Sequence, residues 1–279
     1  MQGKTVLITG GNAGIGKATA FQLAEMGAKV TIACRNLARS ERVAKQILQK
    51  TGNQHIDVIA CDLADFASIE KAVCQFKKQH DHLDILINNA GIFTTRLKQT
   101  TDGFEMQFGV NHLGHFLLTR LLLGRLKAAF QPRVINVSSA AHYKGKIDFQ
   151  SFRGENQPYS GLQAYAQSKL ANVLFTKEIA KRHPSISCNC LHPGVVRTDI
   201  GTKNARWSMS LIWMMWKPFM CTPERGAKTS VYLASSPMVK GISGKYFDQC
   251  QRQIEPAPLA SDNVLAQRLW EASESFTGA

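Results

Sequence analysis

Short apolar runs take turns along this chain with longer stretches in which apolar residues recur every three or four positions. The short runs predict strands at Thr5–Thr9, Lys29–Ala33, Ile56–Cys61, Asp84–Asn88, Arg133–Ser138, Ser187–Leu191 and Lys245–Phe247. The periodic stretches predict helices near Gly16–Met26, Ser40–Lys50, Ser68–Gln79, Gly103–Ala129, Ala164–His183 and Pro223–Ser235, with a last one at Asn263–Phe276. Regular strand–helix alternation implies an α/β protein: a doubly wound parallel sheet with helices on both faces. No repeat or linker divides the chain, so one domain over residues 1–279 is expected.

In such sheets ligands sit outside the carboxyl ends of the strands. The chemically suggestive residues fall there: Gly10–Gly16, then Arg35 and Asn36, Asp62, Asn88–Gly91, Ser138 with Ser139, and the stretch from His192. The first of these, "TGGNAGIGKATA", places Gly10, Gly14 and Gly16 between a strand and a helix. A tight turn needing positive φ would explain glycines there. So would a cradle in which the backbone approaches a pyrophosphate at a helix N-terminus. The end of the second strand then bears on the cofactor. An acidic residue there would hold the 2′-hydroxyl of NAD, whereas an arginine would hold the 2′-phosphate of NADP. The chain has Cys34-Arg35-Asn36, and its next acidic residue is Glu41, so NADP(H) is the expected cofactor unless Arg35 is only a solvated surface residue.

Tyr165 and Lys169 lie four apart in a helical stretch and so share a face. A free phenol has a pKa near ~10, and an ammonium one turn away should lower it toward a usable acid–base group. A hydroxyl where charge grows on the substrate oxygen would come from Ser139 or from its neighbour Ser138, since alternation lets only one face the cleft.

Composition narrows the remaining choices. The net charge of +14 invites nucleic acid, an anionic membrane or a phosphorylated ligand, but the cations are spread along the chain and no aromatics interleave with them. No nucleic-acid partner is therefore expected. Nothing matches the roughly 18 apolar residues of a membrane span, and no leader is read before the first strand. The seven cysteines are odd in number and show no C-x-x-C, which points to a reducing, cytoplasmic setting. His112, His115, His142 and His192 lack companions for a metal set and are read as structural. The apolar stretch Trp207–Met220 could be a substrate lid, an interface helix or a peripheral membrane contact.

In order, "TGGNAGIG", "NNAG", "VNHLG", "NVSS", "YAQSK" and "HPGVVRTD" resemble the short-chain dehydrogenase/reductase family over nearly the whole chain, and within it the retinol dehydrogenase group. The resemblance implies a Rossmann-type fold and an NADP(H)-dependent oxidoreductase acting on a lipophilic carbonyl or alcohol: retinoid-, steroid- or aldehyde-like. It implies that Gly10, Asn12, Gly14, Ile15 and Gly16 cradle the pyrophosphate, that Asp62 and Leu63 flank the adenine, and that Asn89, Ala90 and Gly91 line the cofactor channel. It further implies Ser139, Tyr165, Lys169 and Asn111 as a catalytic tetrad, with Tyr165 and Lys169 also touching the cofactor. Pro193, Gly194, Val196 and Thr198 would meet the nicotinamide end, with a lid near 199–221. Members form dimers, through the helices carrying Asn111 and Tyr165, or tetramers. Two features depart from the group: no apolar anchor precedes the first strand, and the Ser139–Tyr165 connection is long. A catalytically idle cofactor sensor on the same fold is the alternative.

Overall fold

A computed structural model describes residues 1–155, 158–196 and 221–279. The lid expected near 199–221 and the stretch Trp207–Met220 therefore lie outside the described residues, Cys221 excepted, as does Thr198.

Among the described residues one eight-stranded sheet runs in the order β3-β2-β1-β4-β5-β6-β7-β8. Its strands are β1 (Thr5–Thr9), β2 (Lys29–Cys34), β3 (Ile56–Ala60), β4 (Ile85–Asn88), β5 (Arg133–Val137), β6 (Ser187–Leu191), β7 (Tyr246–Phe247) and β8 (Gln253–Ile254). All neighbours pair in parallel until the last, where β8 returns antiparallel to β7. The alternation of the sequence thus gives the doubly wound sheet expected, Rossmann-type in order, with one antiparallel edge. The Pro-broken stretch around Ile254 reads as a connection in sequence because a two-residue strand carries no periodicity.

The helices are α1 (Gly14–Glu25), α2 (Leu37–Thr51), α3 (Phe66–Gln79), the single turn α4 (Met106–Phe108), α5 (Gly114–Lys127), α6 (Gly161–Arg182), α7 (Pro223–Ser235) and α8 (Asn263–Thr277). α2, α3 and α6 begin two or three residues before their apolar periodicity suggests, because Asn36, Asp65 and Ser160 cap them by accepting from backbone N–H groups. The single long helix expected over Gly103–Ala129 is instead α4, a π-helical stretch Gly109–Leu113, and α5. Asn111 sits inside the π-helix.

β1, β4 and β5 are buried on both faces, as a covered parallel sheet requires. One core lies between the sheet and α1, α2 and α7. On the other face α8 crosses α5 and α6. Trp270 packs edge-on to Phe116 at 5.0 Å and stacks near Phe175 at 5.9 Å, and Arg120 pairs with Glu274 at 3.0 Å. The two helices expected as a dimer interface are thus contacted by this chain's own last helix. Among the described residues no helix is long and apolar enough to cross a membrane.

Candidate active site

The carboxyl edge begins at Thr9, whose hydroxyl accepts the N–H groups of Asn89 (2.9 Å) and Ala90 (3.0 Å). Asn89 returns the contact by donating its amide to the Thr9 carbonyl at 2.8 Å. These bonds press the Asn88–Gly91 turn onto the glycine turn. A Cβ on Gly10, whose φ is +68°, would lie 3.0 Å from Ala90 Cα. A Cβ on Gly16 would overlap the Gly10 carbonyl oxygen and the Asn89 amide. Gly14 has φ +50°. α1 therefore starts on a turn whose glycines bring the backbone close to Ala90 and the Asn89 amide. Ala13 at its cap offers no side-chain acceptor, and no acidic residue stands in its first turn. Its free N–H groups and positive dipole end suit an anion. Ile15 faces Gly226 of α7, against which Val196 is buried.

At the end of β2, Asn36 caps α2, and Asn12 donates to Ser40 Oγ at 3.0 Å. The Arg35 side chain is 77% exposed, with Nη1 3.7 Å from Asp62 Oδ2. Asp62 Oδ1 meanwhile accepts from Ala64 N–H at 3.0 Å. Leu63 is buried, and its carbonyl lies where a Cβ on Gly114 would fall. Glycine cradle, open helix end and an exposed arginine paired only at 3.7 Å with Asp62 fit a phosphorylated dinucleotide.

At the other end the two serines separate. Ser138 is buried and donates to the Lys169 carbonyl at 2.8 Å. The Ser139 Oγ accepts from the Ala141 N–H at 3.2 Å and stands near enough to the Tyr165 phenol to favour its ionised form. Strand alternation thus turns Ser138 into the fold and leaves Ser139 on the side of Tyr165. Lys169 is buried and its Nζ donates to the Val137 carbonyl at 3.1 Å; it stands 5.6 Å from the Tyr165 ring centroid. Burial drives its pKa down to about 8. The Tyr165 phenol moves opposite to expectation: burial, not the neighbouring ammonium, dominates and raises its pKa, with the Ser139 hydrogen bond pulling back. Phe93 meets the Tyr165 ring edge-on at 5.7 Å.

Asn111 uses its side chain structurally. Its Oδ1 accepts from Ile92 N–H (2.8 Å), and its Nδ2 donates to the Ile92 carbonyl (3.1 Å) and to Ser168 Oγ (3.0 Å). The π-helix turns the Asn111 carbonyl toward His115, whose Nδ1 lies 3.0 Å away; His115 Nε2 lies 2.8 Å from the Thr9 hydroxyl. Burial holds His115 down to about 4, so it is neutral at pH 7. Thr9 and His115 were not singled out in sequence as site residues. The only signal was their place, at a strand end and four after Asn111. Across β6, Pro193 and Gly194 (φ +79°) form a turn against Gln249. Thr198 lies outside the described residues.

The strand order is that of a doubly wound Rossmann-type sheet, and Ser139, Tyr165 and Lys169 lie together at its carboxyl edge. The chain belongs to the short chain dehydrogenase family, whose family model matches residues 4–208. It is similar to retinol dehydrogenase 14 of Mus musculus, with 46% identity over 100% of this chain and 87% of the relative. It is also similar to retinol dehydrogenase 13 of Homo sapiens, with 44% identity over 99% of this chain and 85% of the relative. Among solved structures it resembles the 3-ketoacyl-(acyl-carrier-protein) reductase of Brucella melitensis complexed with NADH. The identity there is 29%, the TM-score 0.67, and 88% of this chain and 96% of the other are covered.

Proposed function

We propose that the protein is an NADP(H)-dependent oxidoreductase that moves a hydride between nicotinamide and a carbonyl/alcohol pair on a lipophilic substrate. The observation that carries this reading is the gathering of Ser139, Tyr165, Lys169 and Asn111 on the same sheet edge as the glycine cradle. Gly10, Asn12, Gly14, Ile15 and Gly16 would hold the pyrophosphate. Arg35 and Asn36 would meet the 2′-phosphate, Asp62 and Leu63 the adenine, Asn89–Gly91 the middle of the channel, and Pro193, Gly194, Val196 and Thr198 the nicotinamide end. The Brucella neighbour takes NADH, so the choice of NADP(H) rests on this chain's own Arg35.

When bound, the nicotinamide supplies the hydride and, oxidised, a positive charge near the phenol. The chain supplies the rest. Ser139 Oγ holds the substrate oxygen, and Tyr165 Oη gives its proton to that oxygen in reduction or takes it back in oxidation. A phenol raised by burial is a poor base alone. Lys169, already near pH 8 and packed on the ring, favours the phenolate when its ammonium is present. Lys169 and Tyr165 also hold the nicotinamide ribose.

A lipophilic substrate suits the exposed apolar side chains that lie near these residues in sequence. Leu162 (66% exposed) stands three before Tyr165, Val195 (64%) follows the Pro193–Gly194 turn, and Tyr143 lies four after Ser139. Retinol and retinaldehyde are the first substrates to try, given the relatives' names. A cytoplasmic location, peripheral to a membrane where a lipophilic substrate resides, completes the reading.

The test is turnover by the purified protein with NADPH and a panel of lipophilic aldehydes and ketones, and with NADP⁺ and the matching alcohols. Consumption or formation of NADPH above a no-protein blank is expected. Tight NADPH binding without turnover on any member would contradict an enzyme and favour an idle sensor.

A further inference from the structure

His142 occupies a buried position three residues past Ser139, in the 3-10 turn Ala140–Lys144, and the roles assigned above do not use it. Its imidazole has a determined proton position. The Ala257 N–H donates to Nε2 at 3.0 Å, so Nε2 must be the acceptor and Nδ1 must carry the hydrogen. That Nδ1–H points at the Ser139 carbonyl, 2.8 Å away, with Tyr246 Oη also within 3.2 Å. The His142 backbone N–H donates to the same carbonyl at 3.0 Å. One residue therefore grips the Ser139 carbonyl twice. The far end of the turn is held as tightly, because a Cβ on Gly145 would lie 2.6 Å from the Ala166 carbonyl, next to Tyr165.

From Tyr246 the bonds continue. The Tyr246 hydroxyl, 3.2 Å from His142 Nδ1, donates its own hydrogen to His192 Nδ1 at 2.9 Å, since His192 Nε2 faces the acceptor Gln249 Oε1. His192 must then be protonated on Nε2, which donates to Gln249 Oε1 at 2.7 Å. Gln249 is also the side chain against which Gly194 closes. The rings stack along the way, with centroids 4.6 Å apart for His142–Tyr246 and 5.5 Å for Tyr246–His192. Burial lowers the pKa of both imidazoles, in keeping with a neutral chain of donors and acceptors.

We propose that His142 and His192, bridged by Tyr246, are positioning residues: they fix the Ser139 turn relative to the Pro193–Gly194 turn, and so the substrate-oxygen donor relative to the nicotinamide. The inference rests on the reaction proposed above, but not on its substrate. The distance from the Ser139 carbonyl to Gln249 is spanned by hydrogen bonds alone, across β5, β6 and β7. A displacement on the order of 1 Å at such a constellation costs up to about a hundredfold in rate.

Two substitutions separate positioning from packing. Asparagine keeps a donor near the place of Nδ1 and loses the acceptor for Ala257. Glutamine is closer in volume and keeps a polar atom near Nε2, but loses the donor to Ser139. With full-length protein, His142→Gln should lower kcat by about 10- to 100-fold while moving the NADPH KM by less than about twofold. His142→Asn should restore kcat to within about threefold of wild type. Amide hydrogen exchange at Ala141 and His142 gives a second readout without substrate or cofactor. It should speed up by about tenfold in His142→Gln and stay near wild type in His142→Asn. Should His142→Gln fail to fold, Tyr246→Phe keeps the ring, removes the hydroxyl that bridges His142 and His192, and should raise the NADPH KM by about threefold or more and lower kcat as well.

Asparagine and glutamine variants that match in both kcat and exchange would overturn the proposal, as would a Tyr246→Phe with no change in KM. If the wild type turns over no substrate while the two His142 variants show the exchange asymmetry, the positioning chain stands and the reaction is defeated. Turnover without the asymmetry does the reverse.

Discussion

Arg35 and Lys169 stand toward opposite ends of one sheet edge, and their surroundings are built on opposite terms. Arg35 is 77% exposed on its side chain, with one carboxylate at 3.7 Å. Around it the adenosine half is made of glycines, helix ends and capping side chains, and its polar groups face water. Lys169 is 3% exposed, bonded to a strand carbonyl and pushed down to about 8. Around it the chemical half is a buried mesh: Ser138 on α6, Asn111 on Ile92, His115 on the π-helix, His142 on Ser139. The first half can bind and select at small cost to the fold. The second must be folded before it can act, so a change there reaches rate and stability together.

Breaking the buried half should give the largest effect. Lys169→Ala removes the cation beside Tyr165 and the donor to Val137. Its kcat should fall by about 10²–10⁴, with weaker NADPH binding as well, measured by steady-state kinetics and titration. If only one of the two moves, its double role is wrong. Gly16→Ala comes next and lies in the open half. Its methyl would overlap backbone at Gly10, so unfolding free energy should drop by about 1–3 kcal/mol in urea melts, with NADPH affinity falling too. An undisturbed melt would mean the cradle is looser than described.

Arg35→Asp should leave the melt unchanged and reverse cofactor preference. The Kd ratio of NADH to NADPH should fall by at least about tenfold, a modest figure because Arg35 is solvated and screened. Added salt should weaken NADPH more than NADH in the wild type. A wild type that prefers NADH would refute this reading of β2's end.

The buried half also has a pH signature. Lys169 has a pKa near 8 in the folded chain against 10.5 for a free side chain, so between these values the unfolded state holds more protons. The burial penalty is full below about pH 8 and is relieved as pH rises toward 10.5. Wild type should therefore gain stability over that window relative to Lys169→Met, in parallel melts. Equal slopes would show that Lys169 titrates normally.

The contrast between the halves also explains what was legible in the sequence. The strands and the glycine turn are written in local pattern, and so is the missing acid after β2. The buried half depends on contacts distant in sequence. Neither Thr9 nor His115 announces the other across 106 residues. The π-helix has the same apolar spacing as the α-helix expected there. The direction of Tyr165's shift follows from burial, which a Tyr-x-x-x-Lys spacing does not reveal. Alternation says that one of Ser138 and Ser139 faces the cleft without saying which. The start of α6 at Gly161 was missed by three residues because Ser160 caps it ahead of the apolar periodicity.

The division of labour, and with it the enzyme itself, is tested most directly by Tyr165→Phe, with NADPH binding and turnover measured on the same preparation. The phenolic proton is lost while the ring still packs against Phe93. The account predicts an NADPH Kd within about twofold of wild type and a turnover reduced by about 10²–10⁴. Retention of more than about a hundredth of wild-type turnover would contradict it, since the acid–base step would then belong to another group.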